Sequence, residues 1–174
     1  MSLVREKPYD EIVVKEILNR ANVGRSTFYT HFKDKDELLA SGMHDLLRTI
    51  QAAEVPASGK WQEKIVRFSL PVFEHIHWHR EAGAAGMGPR GRAILHGHLQ
   101  KVLAGRIADD VRKALQSRRK TVGQTPPELL ARYVASTFVL VLDWWVESNG
   151  ALRPKDVDGL FRALTLPTLS AILE

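Results

Sequence analysis

The stretch 13–39 reads VVKEILNRANVGRSTFYTHFKDKDELL, and its period decides the fold. Val13, Ile17 and Ala21 stand at i, i+4 and i+8, the spacing of one face of a short helix. Asn22-Val23-Gly24 then breaks the pattern with two residues that tolerate the left-handed geometry of a helix end. A second short helix is predicted over 26–32, with Phe28 and Phe32 one turn apart and able to pack on Ile17, Ala21, Val23 and Leu39. Asp34 and Glu37, three residues apart, form a capping box that opens a long third helix. Its buried stripe is Leu39, Met43, Leu46, Leu47 and Ile50. Two short helices joined by a tight glycine-bearing turn are the helix-turn-helix arrangement, in which the second helix can enter a major groove.

Working outward, the remainder also reads as helix, so the fold class is all-α. The sequence predicts a helix-turn-helix module with its linking helix over 1–53 and a larger helical domain over 54–174. Pro56-Ala57-Ser58-Gly59 is the turn between them. Trp61, Ile65, Phe68, Val72 and Ile76 trace one helical stripe, with Pro71 expected to kink it. Residues 83–91 hold four glycines and Pro89 and read as a loop or broken helix. Leu99, Val102, Leu103, Ile107, Val111 and Leu115 form the next helix, closed by the cations Arg118, Arg119 and Lys120. Thr125 and Glu128 suggest a second capping box, opening a helix over 127–148 that is apolar on more than one face. Asn149-Gly150 ends it, and a last helix begins at Pro154, interrupted at Pro167.

Composition bounds the function without deciding it. A chain of 174 residues with 44% hydrophobic and 26% charged residues is that of an ordinary soluble domain pair, and a cytoplasmic protein is expected. No secretory leader is read at the start, no run long enough to cross a bilayer is read elsewhere, and no membrane partner is expected. Cysteine is absent, which excludes disulfide and thiolate chemistry. The net charge of +5 suits a polyanionic partner, yet residues 1–50 carry eight cations and eight acids, so bulk charge does not mark a nucleic-acid-binding end.

The run 13–39 closely resembles the DNA-binding signature of the TetR family of regulators. Its core is Thr27-Phe28-Tyr29-Thr30-His31-Phe32 followed by Lys33-Asp34-Lys35. The resemblance implies that double-stranded operator DNA is a partner. Tyr29 and His31 would contact the DNA backbone, and Lys35, at the start of the long helix, would add a phosphate contact. Base reading would fall to Arg25, Ser26, Thr30 and Lys15, with Thr27 on the same open side. Arg25 is the best match to a guanine, because its fork fits O6 and N7. Singly these residues have plainer readings, Lys15 and Lys35 as solvated charges and Tyr29 as core. In the family a full first helix precedes the segment like Lys7-Pro8-Tyr9-Asp10-Glu11-Ile12, where Met1 to Glu6 stands here. Without it Ile12, Ile17 and Phe28 are expected to have uncovered apolar faces.

The resemblance further implies a homodimer built through the last two helices and a small-molecule effector. A helix apolar on several faces agrees, since one face can pack on its own core and another on a partner. An apolar or aromatic effector would lie among Phe68, Val72, Phe73 and Ile76, Leu99 and Leu103, Phe138 and Trp144, with Met43 and Met87 as adaptable fillers. His75, His77, His79, His96 and His98 suggest a metal by spacing, but with few carboxylates nearby no metal and no other cofactor is expected. No nucleophile elbow, phosphate loop or paired acids appears, so no enzyme is read. The expectation is a repressor released from its operator by the effector. The alternative is a helical ligand-binding or interaction protein that has lost DNA binding.

Overall fold

The computed structural model describes residues 3–52, 60–81, 87–116, 125–148 and 151–173. The described residues form helices and short 3-10 turns, with no strand among them. The helices are α1 (Val14–Ala21), α2 (Arg25–His31), α3 (Lys35–Ala52), α4 (Trp61–Val66), α5 (Ser69–Glu81), α6 (Gly88–Gln116), α7 (Pro127–Glu147) and α8 (Pro154–Leu173). Two 3-10 turns, Leu3–Arg5 and Tyr9–Glu11, precede them. The expected turn at 56–59, the cations at 118–120 and the stop at 149–150 lie outside the described residues.

The chain divides into two compact units that are discontinuous in sequence. One comprises Met1–Thr49 with Trp78–His98, and the other Ile50–His77 with Leu99–Glu174. Sequence reading placed one boundary after residue 53; the first unit also takes in residues 78–98.

In the first unit α1 ends as its residues dictate. Asn22 adopts φ 52°, and the amide of Val23 donates to the Leu18 carbonyl at 3.1 Å. Asp34 caps α3, its Oδ1 accepting from the amides of Asp36 and Glu37 at 2.9 and 2.8 Å. Glu37 reaches back to the amide of Lys33 at 2.7 Å, one residue beyond the Asp34 amide that an ideal capping box would engage.

The second unit holds an aromatic interior. Phe68 and Phe73 flank Phe138 at centroid distances of 5.0 and 4.8 Å, Phe161 meets Phe138 edge-on at 5.4 Å, and Trp145 meets Phe73 at 5.7 Å. These edge and tilted contacts are the arrangements that ring quadrupoles favour. Trp145 donates its indole N–H to the Leu152 carbonyl at 2.9 Å, satisfying its one polar atom.

Several sequence expectations change here. The stripe 61–76 is two helices, broken at Arg67 and Phe68, and Pro71 falls in the first turn of α5, where an absent N–H leaves no helical bond unmade. Residues 88–91 are the first turn of α6, with Pro89 just inside the helix start. α7 starts from Pro126 with no side-chain cap, and Glu128 accepts from Arg112 at 2.8 Å. α8 runs through Pro167 without ending. By length and composition α7 could also cross a bilayer, contrary to the reading of no such run, but it carries Leu130, Val134, Phe138, Val141, Leu142 and Trp145 buried in the second unit. Those are the contacts of a core helix.

Candidate nucleic-acid interface

α2 has one buried side chain and an otherwise open surface. Phe28 points inward, stacked edge-on with Tyr29 at 5.3 Å and tilted against Phe32 at 5.6 Å. Arg25, Ser26, Thr27, Tyr29, Thr30 and His31 are all exposed, as is Lys15 on α1. A seven-residue helix anchored by one phenylalanine thus presents a guanidinium, hydroxyls, a phenol and an imidazole together. Such groups donate to phosphates and to base edges. Thr30 donates its hydroxyl hydrogen to the Ser26 carbonyl at 2.9 Å, leaving its lone pairs as its outward chemistry.

Lys35 stands differently. Its ammonium donates to the carbonyls of Ile12, Tyr9 and Asp10 at 2.7, 2.9 and 3.3 Å and lies 4.4 Å from the centroid of the Tyr9 ring. All three of its N–H donors have partners on the turn before α1, so the phosphate contact implied for it has no free donor in this conformation.

That turn is held from several sides. Lys7 pairs with Glu16 at 2.6 Å, and Arg20 grips both oxygens of Glu6 at 2.7 and 2.8 Å. The hydrogen bond from Arg20 holds the Glu6 carboxyl below its ordinary value, and that from Lys7 does the same for Glu16. Tyr9 is buried and donates to Oδ1 of Asp36 at 2.5 Å, and Arg90 donates to Oδ2 of the same carboxylate at 2.7 Å. Burial, then the bond to Asp36, raises the Tyr9 phenol far above its ordinary value, so it remains a donor at any ordinary pH. Asp10 accepts from the backbone amides of Gly91 and Arg90 at 3.1 and 3.3 Å. Sequence reading missed this network, although Gly88-Pro89 marked a helix start that could have pointed to it.

Ile12 and Phe28, expected to lack a cover, are buried, Phe28 against the rings of Tyr29 and Phe32. Ile17 remains partly open. It lines an apolar cavity of about 540 Å³ in the first unit, with Leu3, Val4, Leu38, Leu39, Gly42 and Met87 among its walls.

The ten residues grouped as an effector pocket separate. Phe68, Val72, Phe73, Leu99, Leu103 and Phe138 are interior in the second unit, and Ile76 is half-buried. Trp144 is 48% exposed, and Trp145 is the indole that enters the core. Met43 and Met87 belong to the first unit. Among the described residues no group of three or more metal-ligating side chains converges, and the side chain of His79 lies outside them.

Residues 1–41 match the family described as bacterial regulatory proteins, tetR family. The crystal structure of a TetR transcriptional regulator from Streptococcus agalactiae 2603V superposes with a TM-score of 0.54 at 25% identity, over 94% of this chain and 86% of that one. No curated protein matches the chain.

Proposed function

We propose, from the match of residues 1–41 to the tetR family and the likeness to a TetR regulator's structure, that this chain is a TetR-like repressor that binds operator DNA as a homodimer and leaves it when a small apolar or aromatic effector binds. The observation that carries the reading is the set Arg25, Ser26, Thr27, Tyr29, Thr30 and His31, exposed together on α2 over an inward Phe28. Arg25 reads a guanine through its fork, with Ser26, Thr30 and Lys15 beside it, while Tyr29 and His31 hold phosphates. Lys35 supports that surface from behind, through the turn it binds.

The homodimer is supported by an apolar stripe left open on the last two helices. Leu129, Tyr133, Leu140 and Trp144 are exposed on α7, and Leu160 and Leu164 on α8. Tyr133 donates to the Leu164 carbonyl at 3.1 Å, so the stripe continues from one helix to the other. A self-complementary two-fold contact would bury it. The aromatic interior of the second unit supports an apolar effector, which shifts the population toward conformers whose α3 is tilted and whose paired recognition helices no longer match one DNA turn.

The test is a shift assay with duplex DNA from the region upstream of the chain's own reading frame. Wild-type protein gives a discrete complex, Arg25→Ala relaxes the sequence preference, and Tyr29→Phe weakens binding. Isotherms unchanged by both substitutions would overturn the reading.

A further inference from the structure

The first turn of α6 belongs to the same compact unit as the helix-turn-helix, and its contacts there are unusually close. Gly88 has φ +64°, and a Cβ on it would stand 2.6 Å from Oδ2 of Asp10. A Cβ on Gly91 would stand 2.8 Å from Cδ1 of Tyr9. Both positions therefore require glycine, one for its backbone and its neighbour, the other for the ring against it. In the space so opened the Asp10 carboxylate caps α6 from outside the helix, through the amides of Arg90 and Gly91. Arg90 then reaches Asp36, the second residue of α3, which also holds the Tyr9 hydroxyl. Lys35, the first residue of α3, closes the ring on the carbonyls of the Tyr9 turn.

We propose that Gly88, Arg90 and Gly91 are positioning residues for DNA reading, and that the start of α6 sets where the recognition helix α2 stands. The route is short. α6 fixes the Tyr9–Asp10 turn and Asp36, these fix the first turn of α3, and only Phe32, Lys33 and Asp34 separate α3 from α2. None of the three positioning residues needs to touch DNA. A displacement at the start of α6 is felt at α2 because the polar groups between them have no slack.

The inference rests on the DNA-binding reading above, and its test has an arm that does not. In the full chain, amide hydrogen exchange over 14–31 is compared among wild type, Arg90→Ala, Arg90→Lys and Gly91→Ala. Faster exchange by about tenfold is expected for Arg90→Ala and Gly91→Ala, with rescue by Arg90→Lys. Operator affinity, read with the same upstream duplex, is expected to fall about tenfold in those two variants with the salt slope unchanged, because no phosphate contact has been removed. A slope reduced by about 0.9 in Arg90→Ala would make Arg90 a phosphate contact and overturn the proposal. Wild-type exchange rates in both variants would also overturn it. If wild type itself forms no complex, the DNA-binding reading fails, and the exchange arm still decides whether α6 holds α2.

Discussion

Ser69, at the start of α5, donates its hydroxyl hydrogen to Asp158 of α8, eighty-nine positions along the chain. Arg162 takes the other oxygen of that carboxylate at 2.7 Å and also pairs with Glu63 of α4. Asp158 is buried, and these two partners supply the hydrogen bonds that its carboxylate oxygens lose to burial. Asp158→Ala is expected to lower the stability of the second unit by about 3 kcal/mol, because it leaves a partly buried guanidinium short of a partner. Urea unfolding followed by tryptophan fluorescence, to which the buried Trp145 contributes, measures it, and an unchanged midpoint would contradict the assignment.

Thr165 is the reverse case, a buried hydroxyl on α8 with no hydrogen-bond partner among the described residues. Thr165→Val keeps the shape and removes the desolvated group. It is expected to raise stability by about 1 kcal/mol, read as an increase in Tm. A loss of stability would mean that the hydroxyl has a partner after all.

Acid should loosen the first unit through Asp36. Burial pushes its carboxyl upward, but the Tyr9 hydroxyl, the Arg90 guanidinium and the Lys35 charge outweigh this and hold it below its ordinary value. A value depressed on folding contributes stability that is fully present above the unfolded value, about 3.9, and is lost as pH falls through the lower folded value. Asp36→Asn should therefore flatten the acid limb of exchange over 14–31. An acid limb identical to that of wild type would remove Asp36 from the account.

Lys35→Ala separates two ways of losing DNA. With the ammonium held by three carbonyls, its removal should weaken operator binding by loosening the turn, with no change in salt slope. A slope lower by about 0.9 would show that Lys35 leaves the turn to meet a phosphate.

The open stripe on α7 and α8 makes oligomeric state a direct test. Leu140→Glu puts a charge where Leu140 is 66% exposed, so the lone chain should tolerate it. In a two-fold contact the two charges would be desolvated, and the protein should sediment as a monomer at micromolar concentration where wild type is a dimer. Monomeric wild type would leave the stripe without its proposed role.

Local chemistry was legible in the sequence and long-range chemistry was not. The 3.6-residue period gave α1, α2 and α3 to within a residue or two, and Asn22 and Asp34 announced their own geometries. Trp144 and Trp145 differ by one step along a helix apolar on several faces, and nothing local says which of the two turns inward. The same limit hid the Asp10 and Asp36 contacts, since partners as distant in sequence as Gly91 and Arg90 leave no periodic trace. The exposed face of α2 was readable because Phe28 is the only apolar side chain there that needed burial. The engagement of Lys35 was not, because it depends on where the Tyr9 turn folds back.

The discontinuity of the first unit has a consequence for anyone who would treat the DNA-reading half as portable. A graft cut after residue 53 would carry Tyr9 and Asp10 but leave behind the glycines shaped to receive them. The transferable part is two segments, and a chimera made from this chain should exchange 78–98 together with the N-terminus.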